Sequence, residues 1–293
     1  MHQTPRRRAI NPTGLQHAIL LTDGENQDET LAELTAAIEQ CEGLFQCDCR
    51  GVGDQWRVTE LREIASRLLG DVAVIPHPNE MEAEFRSMME RSMGKRVDSL
   101  RLRIWTPKDA QIQLVKQVNP DILDLTASRE EVTPQIGDYP TGAWGDQTRE
   151  FHVQVRFPAR DLDSEMRAAR VTAMVGDDEL FTAFIDVTWT EDAQLSTKQV
   201  PRLDNYMGQV ESARLADEGF RALDDGDVET ATARLVSALE GYQKAGNQAQ
   251  AELIGRLLET DGDTMKLKQG RSKLDEIEAQ TGTTRTERLG PDS

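Results

Sequence analysis

The stretch HAILLTDGENQDET, residues 17–30, decides the fold. Four apolar residues, Ala18–Leu21, run straight into Thr22, Asp23 and Gly24 and then into an acidic loop. This is the pattern of a short buried strand that delivers one carboxylate to the carboxyl edge of a sheet. Downstream, Leu31, Leu34, Ile38 and Cys41 recur at helical spacing, with Asp28 or Thr30 as cap and Gly43 as terminator. LFQCDCRGVG, residues 44–53, reads as a second strand running into a glycine turn. VTELREIASRLLG, residues 58–70, gives a helix ended by Gly70, and DVAVIP a third strand broken by Pro76. Met81, Phe85, Met88, Met89 and Met93 mark another amphipathic helix, whose methionine row reads as core before it reads as an adaptable surface. Strand–helix units in this order predict parallel strands over residues 17–97.

The period changes near Ser99. LRLRIWTP, QIQLVKQV, FHVQVRF and LFTAFIDVTW all alternate, with turn signals at Thr106-Pro107, Gly137-Asp138 and Gly176-Asp177. Residues 98–200 therefore predict an antiparallel β-sandwich, with Trp105, Trp144 and Trp189 as core or loop anchors. From Pro201 the pattern is helical. Two helices joined at Asp224–Asp227 face each other through Ala216, Phe220 and Leu223 on one side and Ala231, Leu235, Ala238 and Leu239 on the other. This is one tetratricopeptide-type hairpin without a second copy, and it is expected to pack on the sandwich. Residues 1–16, with the basic Arg6–Arg8, and 281–293 read as disordered tails. The chain is thus α/β, then all-β, then a small helical region over 201–280: multidomain α+β.

Composition narrows the functions. With 52 acidic against 34 basic residues the formal charge is −18, which opposes binding to nucleic acid or an anionic membrane and favours cationic or metal-bearing partners. No apolar run approaches the ~18–20 residues of a transmembrane helix, so a cytoplasmic protein is expected. Cys41, Cys47 and Cys49 are an odd number and suggest no disulfide framework. Cys47 and Cys49 point to one face of a strand and could offer thiolates to zinc or to redox chemistry; buried free thiols are the simpler reading. His17, His77 and His152 lie far apart, no serine or cysteine has a recognisable base, and GVGDQW lacks the third glycine and basic residue of a phosphate loop. No enzyme is expected.

Three segments now carry a resemblance. ILLTDGEN, FQCDCRGVGDQW and ELREIASRLLG resemble the second half of a von Willebrand factor type A (VWA) domain, a Rossmann-like fold. The remainder, through RIWTP and YPTGAWGDQTREFHVQV, is similar to bacterial proteins that place such a domain before a β-sandwich and a helical region; the likeness covers most of residues 17–280. The resemblance implies a protein-binding module that uses Mg²⁺ at a metal-ion-dependent adhesion site. Its ligands come from a D-x-S-x-S turn, a threonine loop and the aspartate of T-D-G. Asp23 matches that aspartate, Thr22 and Gly24 its supporting loop, and nothing here matches the other ligands.

The chain therefore reads as N-terminally truncated, its strand at Ala18–Leu21 an open edge. A separate chain, a second copy pairing through that edge, or a truncated or degenerate gene product would each account for this. Asp23 would either cap the following helix or bind Mg²⁺; one carboxylate alone cannot hold Mg²⁺, which favours the cap. The expected function is a non-enzymatic interaction module, Mg²⁺-dependent only if the missing half-domain is supplied. The alternative is an adaptor subunit of a P-loop ATPase machine. Neither reading names the partner.

Overall fold

A computed structural model describes residues 16–27, 29–192, 200–262 and 264–288. The basic segment Arg6–Arg8, the cap candidate Asp28 and the last residues of the C-terminal tail lie outside the described residues.

The first region is three strand–helix units. Strand β1 (His17–Thr22), helix α1 (Leu31–Cys41), β2 (Gln46–Val52), α2 (Val58–Arg67), β3 (Val72–Ile75) and α3 (Met81–Met93) follow in order, and β1-β2-β3 form a parallel sheet. The register runs from His17 opposite Gln46 to Thr22 opposite Gly51, and from Cys49 opposite Val72 to Val52 opposite Ile75. Helix α1 starts with a full capping box, Thr30 accepting from Glu33 N while Glu33 reaches back to Thr30. The cap is therefore Thr30 and not Asp23. Gly43, at φ +72°, follows the helix as expected.

Helix α2 ends differently from its glycine signal. The left-handed residue is Leu69, at φ +55°, and Gly70 N donates to Ala65 O at 2.8 Å. Gly70 is needed for another reason: a Cβ there would strike the Cys47 carbonyl.

Period-two alternation gives β2 two unlike faces. Cys47 and Cys49 enter an apolar core with Ile38 of α1, Trp56, and Val58, Leu61 and Ala65 of α2. Asp48 and Arg50 point to the other face, toward α3. Trp56 is buried, and a Cβ at Gly51 would overlap its ring. The methionine row divides: Met88 is core, whereas Met89 and Met93 are exposed, Met93 at 74%.

Among the described residues the second region has eight strands, paired antiparallel and named in chain order: β4 (Arg101–Trp105), β5 (Gln111–Asn119), β6 (Leu123–Asp124), β7 (Glu130–Thr133), β8 (Ile136–Pro140), β9 (Glu150–Arg156), β10 (Glu165–Val175) and β11 (Asp178–Thr188). They form a five-stranded sheet, β11-β10-β4-β8-β7, and a three-stranded sheet, β6-β5-β9. Leu102 and Ile104 of β4, Val115 of β5, Tyr139 of β8 and Ala169 of β10 share one core. Gly176, at φ +56°, turns β10 into β11 as its sequence suggests.

Gly137-Asp138 is not a turn. It lies inside β8, where buried Asp138 holds Arg103 and Arg101, both at 2.8 Å. The two arginines neutralise an acid that the sequence pattern assigns to a loop. Trp144 stacks on Phe151 and carries Arg149 over its ring, and Trp189 meets Phe157 edge-on.

The third region begins with the expected hairpin, α4 (Pro201–Asp224) and α5 (Val228–Ala245). It continues through α6 (Gln248–Leu257), a β-hairpin of β12 (Leu258–Asp261) and β13 (Thr264–Leu267), and α7 (Lys273–Gly282). These elements bury their own core around Ala216, Phe220, Leu235, Tyr242, Ile254 and Leu267. The hairpin has this core of its own and also packs on the β-sheets as expected, α4 touching β5 and Arg202 reaching Glu150 of β9 at 3.8 Å; Ile277 of α7 joins the core of the parallel sheet.

The segment after α7 is also ordered, up to Arg288. Thr281 and Thr283 are buried; Ile122 N donates to Thr284 O at 2.7 Å, and Asn247 Nδ2 to Arg285 O at 3.0 Å. Arg62 of α2 reaches Gln280 O and Thr283 Oγ1. Polar composition suggests a free tail, but hydrogen bonds to all three regions pin it, backbone to backbone at Pro120 and Ile122 and through the side chains of Arg62, Asn247 and Arg285 elsewhere. No helix among the described residues is long and apolar enough to cross a membrane.

Candidate functional site

The carboxyl edge of the parallel sheet carries the residues that the sequence singles out. Thr22 ends β1 and folds back, its Oγ1 donating to Gly24 O at 2.9 Å and accepting from Gly24 N at 3.3 Å. Asp23 between them is exposed and makes no hydrogen bond or ion pair among the described residues. Glu25 pairs with Arg57, at the start of α2, at 3.2 Å. Gly24 is outside the left-handed region and a Cβ there would meet open space, so the local backbone does not require glycine. Beside this loop, β1 is an edge strand, paired with β2 alone among the described residues, and Leu21 is exposed.

Mg²⁺ prefers about six oxygen ligands in a near-octahedral shell. Among the described residues no group of three or more His, Cys, Asp or Glu side chains is placed to hold a metal. Asp23 offers one free carboxylate and the Thr22 hydroxyl is engaged by its own loop. The described residues do not fit Mg²⁺ by themselves. The three cysteines are free thiols: Cys47 and Cys49 lie side by side in β2, and Cys41 meets the same core from α1. Hydrogen bonding to Cys47, then burial, pushes the Cys49 thiol far up, which keeps it protonated and unreactive.

The amino half of the same sheet holds chemistry that sequence spacing does not reveal. His17 Nε2 lies 2.8 Å from Asp48 Oδ2, and His17 Nδ1 lies 3.3 Å from Ser92 Oγ of α3. Asp48 Oδ1 accepts from Asp71 N at 3.1 Å. Arg50, fully buried, gives Nη1 to Asp71 Oδ1 at 2.9 Å and Nε to Glu84 Oε1 at 2.8 Å. Burial, then the Asp71 carboxylate, pushes the Asp48 carboxyl above its usual range. Burial acts on Asp71 in the same direction, but the Arg50 guanidinium outweighs it and holds that carboxyl low.

Asp48, His17 and Ser92 have the order of a hydrolytic triad, so a serine does have a base neighbour, contrary to the sequence reading. The surroundings oppose that chemistry. Ser92 sits in the last turn of α3, where its own carbonyl and that of Glu90 point outward and accept from Gly94 and Lys95. A helix C-terminus presents negative dipole to a developing oxyanion, the reverse of what acyl transfer needs. The only sequence signal for this network is the alternation of Cys47, Asp48, Cys49 and Arg50, which marks a strand with one apolar and one ionic face.

Comparison with solved structures finds a von Willebrand factor type A protein from Catenulispora acidiphila. It superposes with a TM-score of 0.91 at 40% identity, covering 95% of this chain and 67% of that one. A second, the ArnB paralog VWA2 from Sulfolobus acidocaldarius, has a TM-score of 0.47 and 14% identity over 92% of this chain and 63% of its own, and carries no argument. No family model matches the chain, and no curated protein does. The extent and identity of the first match decide the assignment: the chain belongs to the von Willebrand factor type A family.

Proposed function

We propose that this chain is a non-enzymatic protein-interaction module of the VWA type that engages its partner at the carboxyl edge of the parallel sheet. The observation that carries this reading is the pairing of an exposed, unengaged Asp23 with an unpaired β1 edge in a member of this family. An open edge offers backbone donors and acceptors to a partner strand, and Asp23 offers a negative charge beside it. Mg²⁺ enters only where the remaining oxygen ligands come from outside the described residues. Strands β1–β3 are read as one half of a VWA sheet and the two antiparallel sheets as a sandwich. The partner completes the edge; a second copy pairing along Ala18–Leu21 is one form this can take.

The test is site-specific photocrosslinking in cells, with the photoreactive residue at Leu21 or Glu25 and, as control, at exposed Glu229 on α5. A discrete adduct from the two edge positions and none from the control supports the proposal. Equal labelling from all three, or none from the edge, contradicts it. A P-loop ATPase in the edge adduct would specify the adaptor role, and this chain itself would specify self-pairing.

A further inference from the structure

A cavity of about 450 Å³ lies at the amino edge of the parallel sheet, where all three regions meet. Its walls come from the start of β2 and β3, the segment after α3, the loop between β5 and β6, and the end of α7. That volume and that place, between packed regions, are typical of small-molecule sites.

Most charges on its walls are already satisfied. Asp48 holds His17, Asp71 holds Arg50, Arg62 holds Asp217 at 3.0 Å and Arg91 reaches Glu84 at 3.3 Å. Arg149 also lines the cavity and donates to the carbonyls of Thr141 and Ala143, and Asp146 lies exposed at its mouth. Away from that mouth, three groups lack a matching partner among the described residues. Asp121, next to Pro120, makes no side-chain hydrogen bond or ion pair among the described residues; Arg285 and Arg149 act on it only through space. Lys95 Nζ has one neutral partner, Gln46 Oε1 at 3.2 Å, and no carboxylate in pairing distance among the described residues. Thr281, only 4% exposed, has an Oγ1 without a hydrogen-bond partner among the described residues.

Unmatched polar groups in a partly desolvated space are costly, and they persist where a ligand completes them. Burial pushes the Asp121 carboxyl up to about 6 and pushes the Lys95 ammonium down, so each charge is held against its preference. One unpaired carboxylate, one unpaired ammonium and one unpaired hydroxyl in a single cavity define a complementary ligand. It carries both signs of charge and no net charge.

We propose that this cavity binds a small zwitterion of the amino-acid type, with its ammonium on Asp121, its carboxylate on Lys95 and a hydrogen bond to Thr281. The proposal does not rest on the carboxyl-edge reading, because the cavity lies at the opposite end of the strands.

The experiment titrates the free L-amino acids one at a time into the whole chain, following thermal unfolding at about 10 mM ligand and then heat of binding for each that acts. Any ligand found is repeated as its N-acetyl derivative, which lacks the ammonium, and as its methyl ester, which lacks the carboxylate. The expected result is at least one amino acid that raises the unfolding temperature by about 2 °C or more and binds saturably, with each blocked form weaker by about tenfold or more. Asp121→Asn should then abolish the preference for the free amine, and Lys95→Gln the preference for the free acid. Absence of any saturable binding overturns the proposal, as does equal binding of free and blocked forms. The blocked-ligand comparison uses the unaltered chain, so it decides the matter even if a variant fails to fold.

Discussion

The two ends of the parallel sheet are built on opposite principles. At the amino end, His17, Asp48, Asp71 and Glu84 lie in a network around the fully buried Arg50, and its charges are for the most part matched, although Asp71 keeps part of its carboxylate in solvent. At the carboxyl end, Asp23 stands in solvent without a partner among the described residues, beside a strand that is the edge of the described sheet. A buried, matched network resists any change, because removing one partner strands the other charge. An exposed, unmatched carboxylate contributes almost nothing to folding and is free for recognition. The sheet therefore separates stability from interaction along the length of its own strands.

The largest effect should come from Arg50→Ala, which leaves Asp71 and Glu84 without their buried cation. A loss of about 3–5 kcal/mol is expected in urea unfolding; a loss below about 1 kcal/mol would mean that the network carries little of the fold. Gly70→Ala comes next. Its Cβ would strike the Cys47 carbonyl, and the backbone shift should cost about 2–3 kcal/mol, read from the unfolding midpoint.

Asp121→Asn should act in the other direction. Folding raises this carboxyl to about 6, so the folded chain takes up a proton that the unfolded chain, titrating near 4, gives up. Stability in the native chain is lost as pH rises from about 4 to about 6 and is level above that range. The asparagine variant should be more stable by about 1–2 kcal/mol at pH 8, and the gain should vanish near pH 4. A gain independent of pH would remove the buried charge from the account.

Asp23→Ala, the smallest change, should leave stability within about 0.5 kcal/mol while abolishing the edge adduct. A large destabilisation would place Asp23 in the folding network and end the contrast between the two edges.

Parts of this arrangement are legible in the sequence for plain reasons. Apolar runs broken by Gly43 and Pro76 mark the strand–helix units, and the spacing of Ala231, Leu235 and Ala238 marks the helical hairpin. T-D-G places Asp23 at a strand end. The amino-edge network is not legible, because its members are brought together only by packing α3 across β2. Asp138 reads as a turn residue since its two arginines lie more than thirty positions earlier in the chain, on β4. Thr281 to Arg288 read as a tail since nothing in their composition announces the backbone partners at Pro120 and Ile122 or the Asn247 side chain.

The division between the two edges is tested most directly by calorimetric titration of Mg²⁺ and of Mn²⁺ into the purified chain, beside Asp23→Ala. Because the described residues offer Asp23 and no completing ligands, the expected result is no saturable binding up to low-millimolar metal in either protein. Saturable binding that disappears in Asp23→Ala would contradict the account, since it would mean that this chain assembles a complete metal site at the edge assigned to a partner.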